Sequence, residues 1–116
     1  MSDAVYRCGM EAVLELIGGK WKLLILYHLS RERLRFSEVR RRVGRVSEKM
    51  LGQQLKEMTA DGLVRRFDFK TVPPHVEYEA TPLGLDLCGS MVPMCEWGTR
   101  NMDEISSISR ARRAPR

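Results

Sequence analysis

The stretch Val46-Ser47-Glu48-Lys49-Met50-Leu51-Gly52-Gln53-Gln54-Leu55-Lys56-Glu57-Met58-Thr59-Ala60-Asp61-Gly62 decides the fold. Ser47 is a good N-cap, because its hydroxyl accepts from an amide of the first turn, and Glu48 in that turn complements the helix dipole. At about 100° per residue, Leu51, Leu55 and Met58 fall in one narrow stripe and must face a core. Lys49, Gln53 and Lys56 lie on the opposite side, with Glu57 and Met50 beside them, and Gly52 keeps one flank flat. The spacing predicts a helix to about Ala60, with Gly62 placed to end it. Glutamine pairs with the adenine edge in a major groove, and lysine with guanine or phosphate. The free amides at the helix start, with Ser47, suit a phosphate. An ordinary surface helix has the same two-sided pattern, so the flanking sequence must decide.

On the N-terminal side, Met10, Val13, Leu14 and Ile17 repeat at helical spacing, which predicts an amphipathic helix over about Gly9 to Ile17, ended by Gly18-Gly19. Lys20 to Leu29 follows with almost no polar face and reads as the buried central helix. His28 within it reads as a core histidine. Arg31 to Arg35 is a charged connection. Phe36 to Val43 reads as a short helix with Phe36, Val39 and Val43 inward and Arg40, Arg41 and Arg42 mostly outward, and Gly44-Arg45-Val46 is a turn.

On the C-terminal side, Leu63 to Phe69 and Val76 to Thr81 read as strands, since Val76, Tyr78 and Ala80 alternate with Glu77 and Glu79. Lys70-Thr71-Val72-Pro73-Pro74-His75 is the hairpin tip, because its prolines lack amide donors. Thr81-Pro82 marks a further helix start, predicted to run to Ile105. The fold class is mainly α with a small β-hairpin, an α+β winged helix-turn-helix. Residues 1–105 form a single domain that includes the dimerisation helices, and 106–116 a basic, disordered tail.

Charge is uneven. Lys20 to Lys70 holds fourteen Lys and Arg against six Asp and Glu, a net of +8, while the rest holds six against nine, a net of −3. Seven arginines fall between Arg31 and Arg45, which points to a polyanion partner. Arg65, Arg66, Lys70 and His75 lie on or near the hairpin, which can reach backbone or minor groove beside the preceding helix.

Ile17-Gly18-Gly19-Lys20-Trp21-Lys22, Arg35-Phe36-Ser37-Glu38, Val46 to Leu51, Gln53-Gln54-Leu55, Asp61-Gly62-Leu63-Val64, Val72-Pro73-Pro74-His75-Val76-Glu77-Tyr78 and Thr81-Pro82-Leu83-Gly84 together resemble the HxlR-type regulators, relatives of the MarR-type winged helices. The resemblance runs from about Cys8 to Gly98. It implies a homodimer on double-stranded DNA, acting as repressor or activator. The expected contacts are Arg35, Ser37, Arg40 and Arg41 from the first helix of the motif. Ser47, Lys49, Gln53, Gln54 and Lys56 come from the second, and Arg66, Lys70 and His75 from the hairpin.

Leu83, Leu87, Met91, Met94, Gly98, Met102 and Ile105 form a near-heptad seam longer than a small domain needs to cover. Pro93 is expected to bend this helix. Part of the seam reads as the dimer interface: Leu87, Met91, Met94, Cys95 and Met102, packed with Met10, Val13 and Leu14 of the first helix. Cys8 lies beside Arg7 near the start of that helix, where positive charge favours a reactive thiol. Some HxlR-type proteins sense oxidants or electrophiles through a cysteine here, so the resemblance makes Cys8 a candidate sensor, though Gly9 stands where many members have proline. An unreactive, half-buried thiol is the alternative. Cys88 and Cys95, about 10 Å apart in helical rise, cannot bridge within one helix and read as packing residues.

Three widely spaced cysteines and two histidines give no zinc motif and no secreted disulfide framework. No catalytic triad, carboxylate pair or phosphate loop is present, so the reading is a non-enzyme without cofactor or metal. The longest apolar run, Leu23 to Tyr27, is too short for a bilayer, and Met1 to Arg7 has no signal-like pattern, so a cytoplasmic location without membrane contact is expected. A small-molecule or oxidant effector remains open. The alternative readings are a winged-helix protein-interaction module that does not bind DNA, and a binder of structured RNA.

Overall fold

The computed structural model describes residues 5–114. The elements run α1 (Gly9–Ile17), α2 (Lys22–Arg31), β1 (Leu34–Arg35), α3 (Phe36–Val43), α4 (Glu48–Ala60), β2 (Val64–Asp68), β3 (Val76–Ala80), α5 (Pro82–Ser90), α6 (Val92–Arg100) and α7 (Met102–Arg113). The fold is a winged helix-turn-helix, mostly helical with a small antiparallel sheet.

α4 forms where the spacing predicts. Ser47 Oγ accepts from the Met50 amide at 3.1 Å and caps the helix start. Leu51, Leu55 and Met58 are at most 1% exposed. They join Ile25, Leu26 and Leu29 of α2, Val39 of α3, and Leu63, Val64 and Tyr78 of the hairpin in one core. Each large apolar side chain fully buried there stabilises the fold by about 1.5–3 kcal/mol relative to exposure. Gly62 ends α4 at φ +79°, and the Leu63 amide donates back to the Met58 carbonyl at 2.9 Å, so the chain turns directly from α4 into β2. Thr81 then caps α5 through the Gly84 amide, and its hydroxyl donates to the Gly62 carbonyl. Gly84 is required by close approach, because a Cβ there would sit 2.2 Å from the Leu63 carbonyl oxygen.

Four expectations need correction. The charged connection before α3 contains β1, whose Leu34 and Arg35 pair with Tyr78 and Glu77, giving a sheet of order β1-β3-β2. Two residues carry no periodicity, and their pairing partner is distant in sequence. α2 is not buried all round: Leu24 and Tyr27 are 45% and 44% exposed, since α3, α5 and the sheet cover only one side. His28 is half-buried, and burial, then Arg42 and Arg31, hold its pKa below the ordinary value.

The expected single helix from Pro82 to Ile105 is three helices. It breaks at Met91, two residues before Pro93, whose missing amide and ring oppose an unbroken turn. It breaks again at Asn101 (φ −111°, ψ 19°), whose side-chain amide donates to the Trp97 carbonyl at 2.8 Å. The unstructured tail is also corrected: α7 is helical to Arg113, with Asp103 and Glu104 in its first turn and Arg110, Arg112 and Arg113 in its last, both favourable to the helix dipole.

α6 and α7 contribute no buried residue. Met94, Trp97, Met102 and Ile108 are 52–56% exposed. The radius of gyration is 16.5 Å, against about 13 Å for a compact chain of this length. Among the described residues no helix is long and apolar enough to cross a membrane.

Candidate nucleic-acid interface

The core stripe of α4 sets its opposite face. Lys49, Gln53 and Lys56 are exposed, as expected from their positions relative to Leu51 and Leu55. A groove runs along each flank of this helix. One, of about 480 Å³, lies between α4 and the sheet and is lined by Gly52, Leu55, Lys56, Thr59, Arg66 and Tyr78. The other, of about 260 Å³, lies between α3 and the start of α4 and is lined by Ser37, Arg40, Arg41, Gly44 and Glu48. Cationic side chains thus border α4 on both sides, while the helix start presents Ser47.

The expected contact residues divide by how far the fold already engages them. Lys49, Lys56, Lys70 and Arg41 are exposed and join no ion pair among the described residues. Arg66 pairs with Asp68 at 3.7 Å. Arg40 is committed to the turn: its Nε donates to the Val46 carbonyl at 3.2 Å and its Nη1 meets Glu48 at 3.4 Å. It positions α4 against α3, a role that the outward pattern of arginines did not reveal. Arg35 caps α3, its backbone amide donating to Glu38 Oε1 at 2.9 Å, and Ser37 is exposed one residue into the helix. Gln54 is half-buried, with its amide on Met50 sulfur. His75 is not at a free edge, since its Nε2 lies 2.6 Å from Glu77 Oε2 and its ring packs at 4.7 Å on Phe69. Lys70 holds the hairpin tip at φ 53°, its amide donating to Asp68 Oδ1.

For two further residues the sequence supplied a position but no role. Arg45, in the turn, is exposed and joins no ion pair among the described residues. Glu57 accepts from Gln53 Nε2 at 3.3 Å and meets Lys22 Nζ at 2.8 Å. The four-residue spacing of Gln53 and Glu57 could have signalled the first contact. The second crosses from α2 and leaves no local trace. Hydrogen bonds from Lys22 and Gln53, and then the Lys22 charge, hold the Glu57 carboxyl below its ordinary pKa.

The residues read as dimer contacts fall into two groups. Met10, Leu14, Met94, Cys95 and Met102 are exposed. Val13, Leu87 and Met91 are half-buried, with Val13 and Leu87 packed on the core of the same chain. Cys8 is exposed at the N-cap of α1, and Cys88 is half-buried, its thiol donating to Ser30 Oγ at 3.3 Å.

The sequence profile of the HxlR-like helix-turn-helix family matches residues 16–106. The HTH-type transcriptional regulator YtcD of Bacillus subtilis is 42% identical over 105 residues, which cover 90% of this chain and 83% of that protein. The redox regulator HypR in its reduced form superposes with a TM-score of 0.79 at 41% identity, over 86% of this chain and 99% of that one. A MarR-family transcriptional regulator from Porphyromonas gingivalis W83 superposes at 0.78 with 32% identity, over 87% and 99%. With its helix-turn-helix, its wing and a profile match over most of its length, this chain belongs to the HxlR-like helix-turn-helix family of transcriptional regulators.

Proposed function

We propose that the chain binds duplex DNA sequence-specifically as a homodimer and acts on transcription by that binding, without catalysis. The observation that carries this reading is the polar face of α4, bordered by Arg41 on one flank and by Lys56 and Arg66 on the other. α4 would enter the major groove, with Gln53 and Lys49 toward base edges, Arg41 and Lys70 on phosphates, and the hairpin tip beside them. The second copy would cover the exposed apolar face of α6 and α7, together with Met10 and Leu14 of α1. Two α4 helices related by a two-fold axis would read half-sites about 10 base pairs apart, or a multiple of that.

The test is a salt titration against selected and random duplexes. Arg41→Ala or Lys70→Ala should weaken every sequence and reduce the slope of log K against log salt by about one. Gln53→Ala should instead relax base preference. A protein-interaction module would bind selected and random duplex alike, weakly or not at all. A monomer in sedimentation at micromolar concentration that still binds a single half-site tightly would overturn the dimer.

A second reading concerns the input signal. Cys8 is exposed at the start of α1, and a similar chain is a redox regulator. We propose that oxidants act on DNA binding through Cys8, by altering how α1 packs in the dimer. Diamide should change the affinity of wild type in a gel shift and leave Cys8→Ser unchanged. An equal response from Cys8→Ser places the effector elsewhere.

A further inference from the structure

The face of α4 assigned to DNA carries a carboxylate, Glu57, at a place where an anion repels phosphate. Its two partners account for it. Oε1 takes the Lys22 ammonium at 2.8 Å, and Oε2 accepts from Gln53 Nε2 at 3.3 Å, so each oxygen serves a different neighbour. Lys22 is the first residue of α2, where a cation opposes the helix dipole, and its side chain is only 13% exposed. A partly desolvated cation there needs a counter-ion, and Glu57 supplies it. The chain of contacts runs from α2, through Glu57, to the one glutamine on the outer face of α4.

A glutamine amide has two chemically opposite ends. Turned by half a rotation it exchanges acceptor for donor, and the base edge it reads is inverted. An ionised carboxylate only accepts, so the Gln53 nitrogen must face Glu57. Hydrogen bonds from Lys22 and Gln53 favour the ionised form of Glu57, which keeps it an acceptor at ordinary pH. With the nitrogen turned back, the amide oxygen and one N–H remain to be presented outward.

We propose that Lys22 and Glu57 form a relay that fixes the amide of Gln53 with its oxygen toward the bases. Each α4 then prefers, at one position of its half-site, a base with an amino group on its major-groove edge. That base is adenine or cytosine, over guanine or thymine. The proposal rests on the reading of Gln53 as a base-facing residue. Glu57 and Lys22 are positioning residues that touch no base.

The full chain is incubated with a duplex library randomised across the bound site, and the enriched sequences are read. Wild type should enrich amino-edge bases at one position per half-site, and Gln53→Ala should flatten that position. Glu57→Ala should reduce the preference there by about fivefold or more, the lower end of what a good base contact supplies, and leave other positions as in wild type. Removing an anion also favours phosphate, so this variant should hold random duplex at least as tightly as wild type. Lys22→Met should flatten the same position and Lys22→Arg should restore it. Should Lys22→Met fail to fold, Glu57→Ala decides alone. If Glu57→Ala keeps the preference, or weakens all sequences alike, the relay is wrong while Gln53 remains the reader. If Gln53→Ala leaves the preference intact, the relay falls together with the reading beneath it.

Discussion

The head of the molecule, from α2 through β3, and the arm formed by α5 to α7 put their apolar residues to opposite uses. In the head, Ile25, Val39, Leu51, Met58 and Leu63 are completely buried, and the charges stand outside. In the arm, Leu83, Val92, Met94, Trp97 and Met102 are more than half exposed, and only Gly84 is buried. Apolar content is comparable in kind, so composition alone does not set burial. Topology does: the head folds its elements back on one another, whereas the arm touches the head mainly through α5 and then leaves it. The head is complete in one chain. The arm has a face of the kind that a second surface covers.

The sharpest break between the two regions should come from paired substitutions. Leu55→Ala empties a site that is 1% exposed and should cost about 2–5 kcal/mol in denaturant unfolding, with the surviving folded protein still associating as wild type does. Met94→Glu should do the reverse. At 52% exposure it leaves the head folded, but it sets two carboxylates into the proposed interface and should raise the dimer dissociation constant tenfold or more, about 1.4 kcal/mol, by sedimentation. A fall in unfolding free energy for Met94→Glu in the monomer would erase the distinction between head and arm.

These two substitutions also mark what was legible in the sequence. α4 was legible in full, because Ser47, the Leu51–Leu55–Met58 stripe and Gly62 are all local signals and the core agreed with them. The wing was legible from the alternation of Val76, Tyr78 and Ala80 and from the prolines at its tip. The joints of the arm were legible only in part: Pro93 signalled a bend near Met91 but not a full break, and nothing signalled Asn101, because the apolar spacing from Leu83 to Ile105 continues undisturbed across both and carries no record of where backbone hydrogen bonds stop. The exposed side of α2 was hidden for a related reason. Leu24 and Tyr27 look like core residues, and only the placement of α3 and α5 leaves them uncovered. Among the site residues, outward position was readable, but engagement was not. Arg40 and Arg41 are adjacent and alike in sequence, yet one is tied to the Val46 carbonyl and the other is not.

Smaller effects sharpen the comparison within the head. Ser47→Ala removes the acceptor for the Met50 amide and should cost about 1 kcal/mol, read from the denaturation midpoint, with a parallel loss of DNA affinity if the helix start meets phosphate. The smallest effect concerns His28. Its folded pKa lies below the ordinary value of 6.5 because burial, Arg42 and Arg31 all disfavour the charged ring. The unfolded chain therefore takes up the proton first. Stability is full above about pH 6.5 and declines as pH falls from there toward the folded value. The melting temperature should drop as pH falls below about 6.5, and His28→Gln should flatten part of that slope. The lowered carboxyl of Glu57 acts below 4.5 and stays outside this window.

The two-residue strand β1 has a mechanical consequence. By pairing Leu34 with Tyr78 and Arg35 with Glu77, it rivets the residue that caps α3 to the wing strand β3. α4 is clamped between the same parts, by Arg40 at its start and by the Gly62–Thr81 contact at its end. If the head is the proposed DNA reader, these ties make it a solid stylus with little internal play along its reading edge. A signal that changes what it reads has little to bend within it. In the proposed dimer, such a signal would instead move one stylus relative to the other, at the helix breaks at Met91 and Asn101.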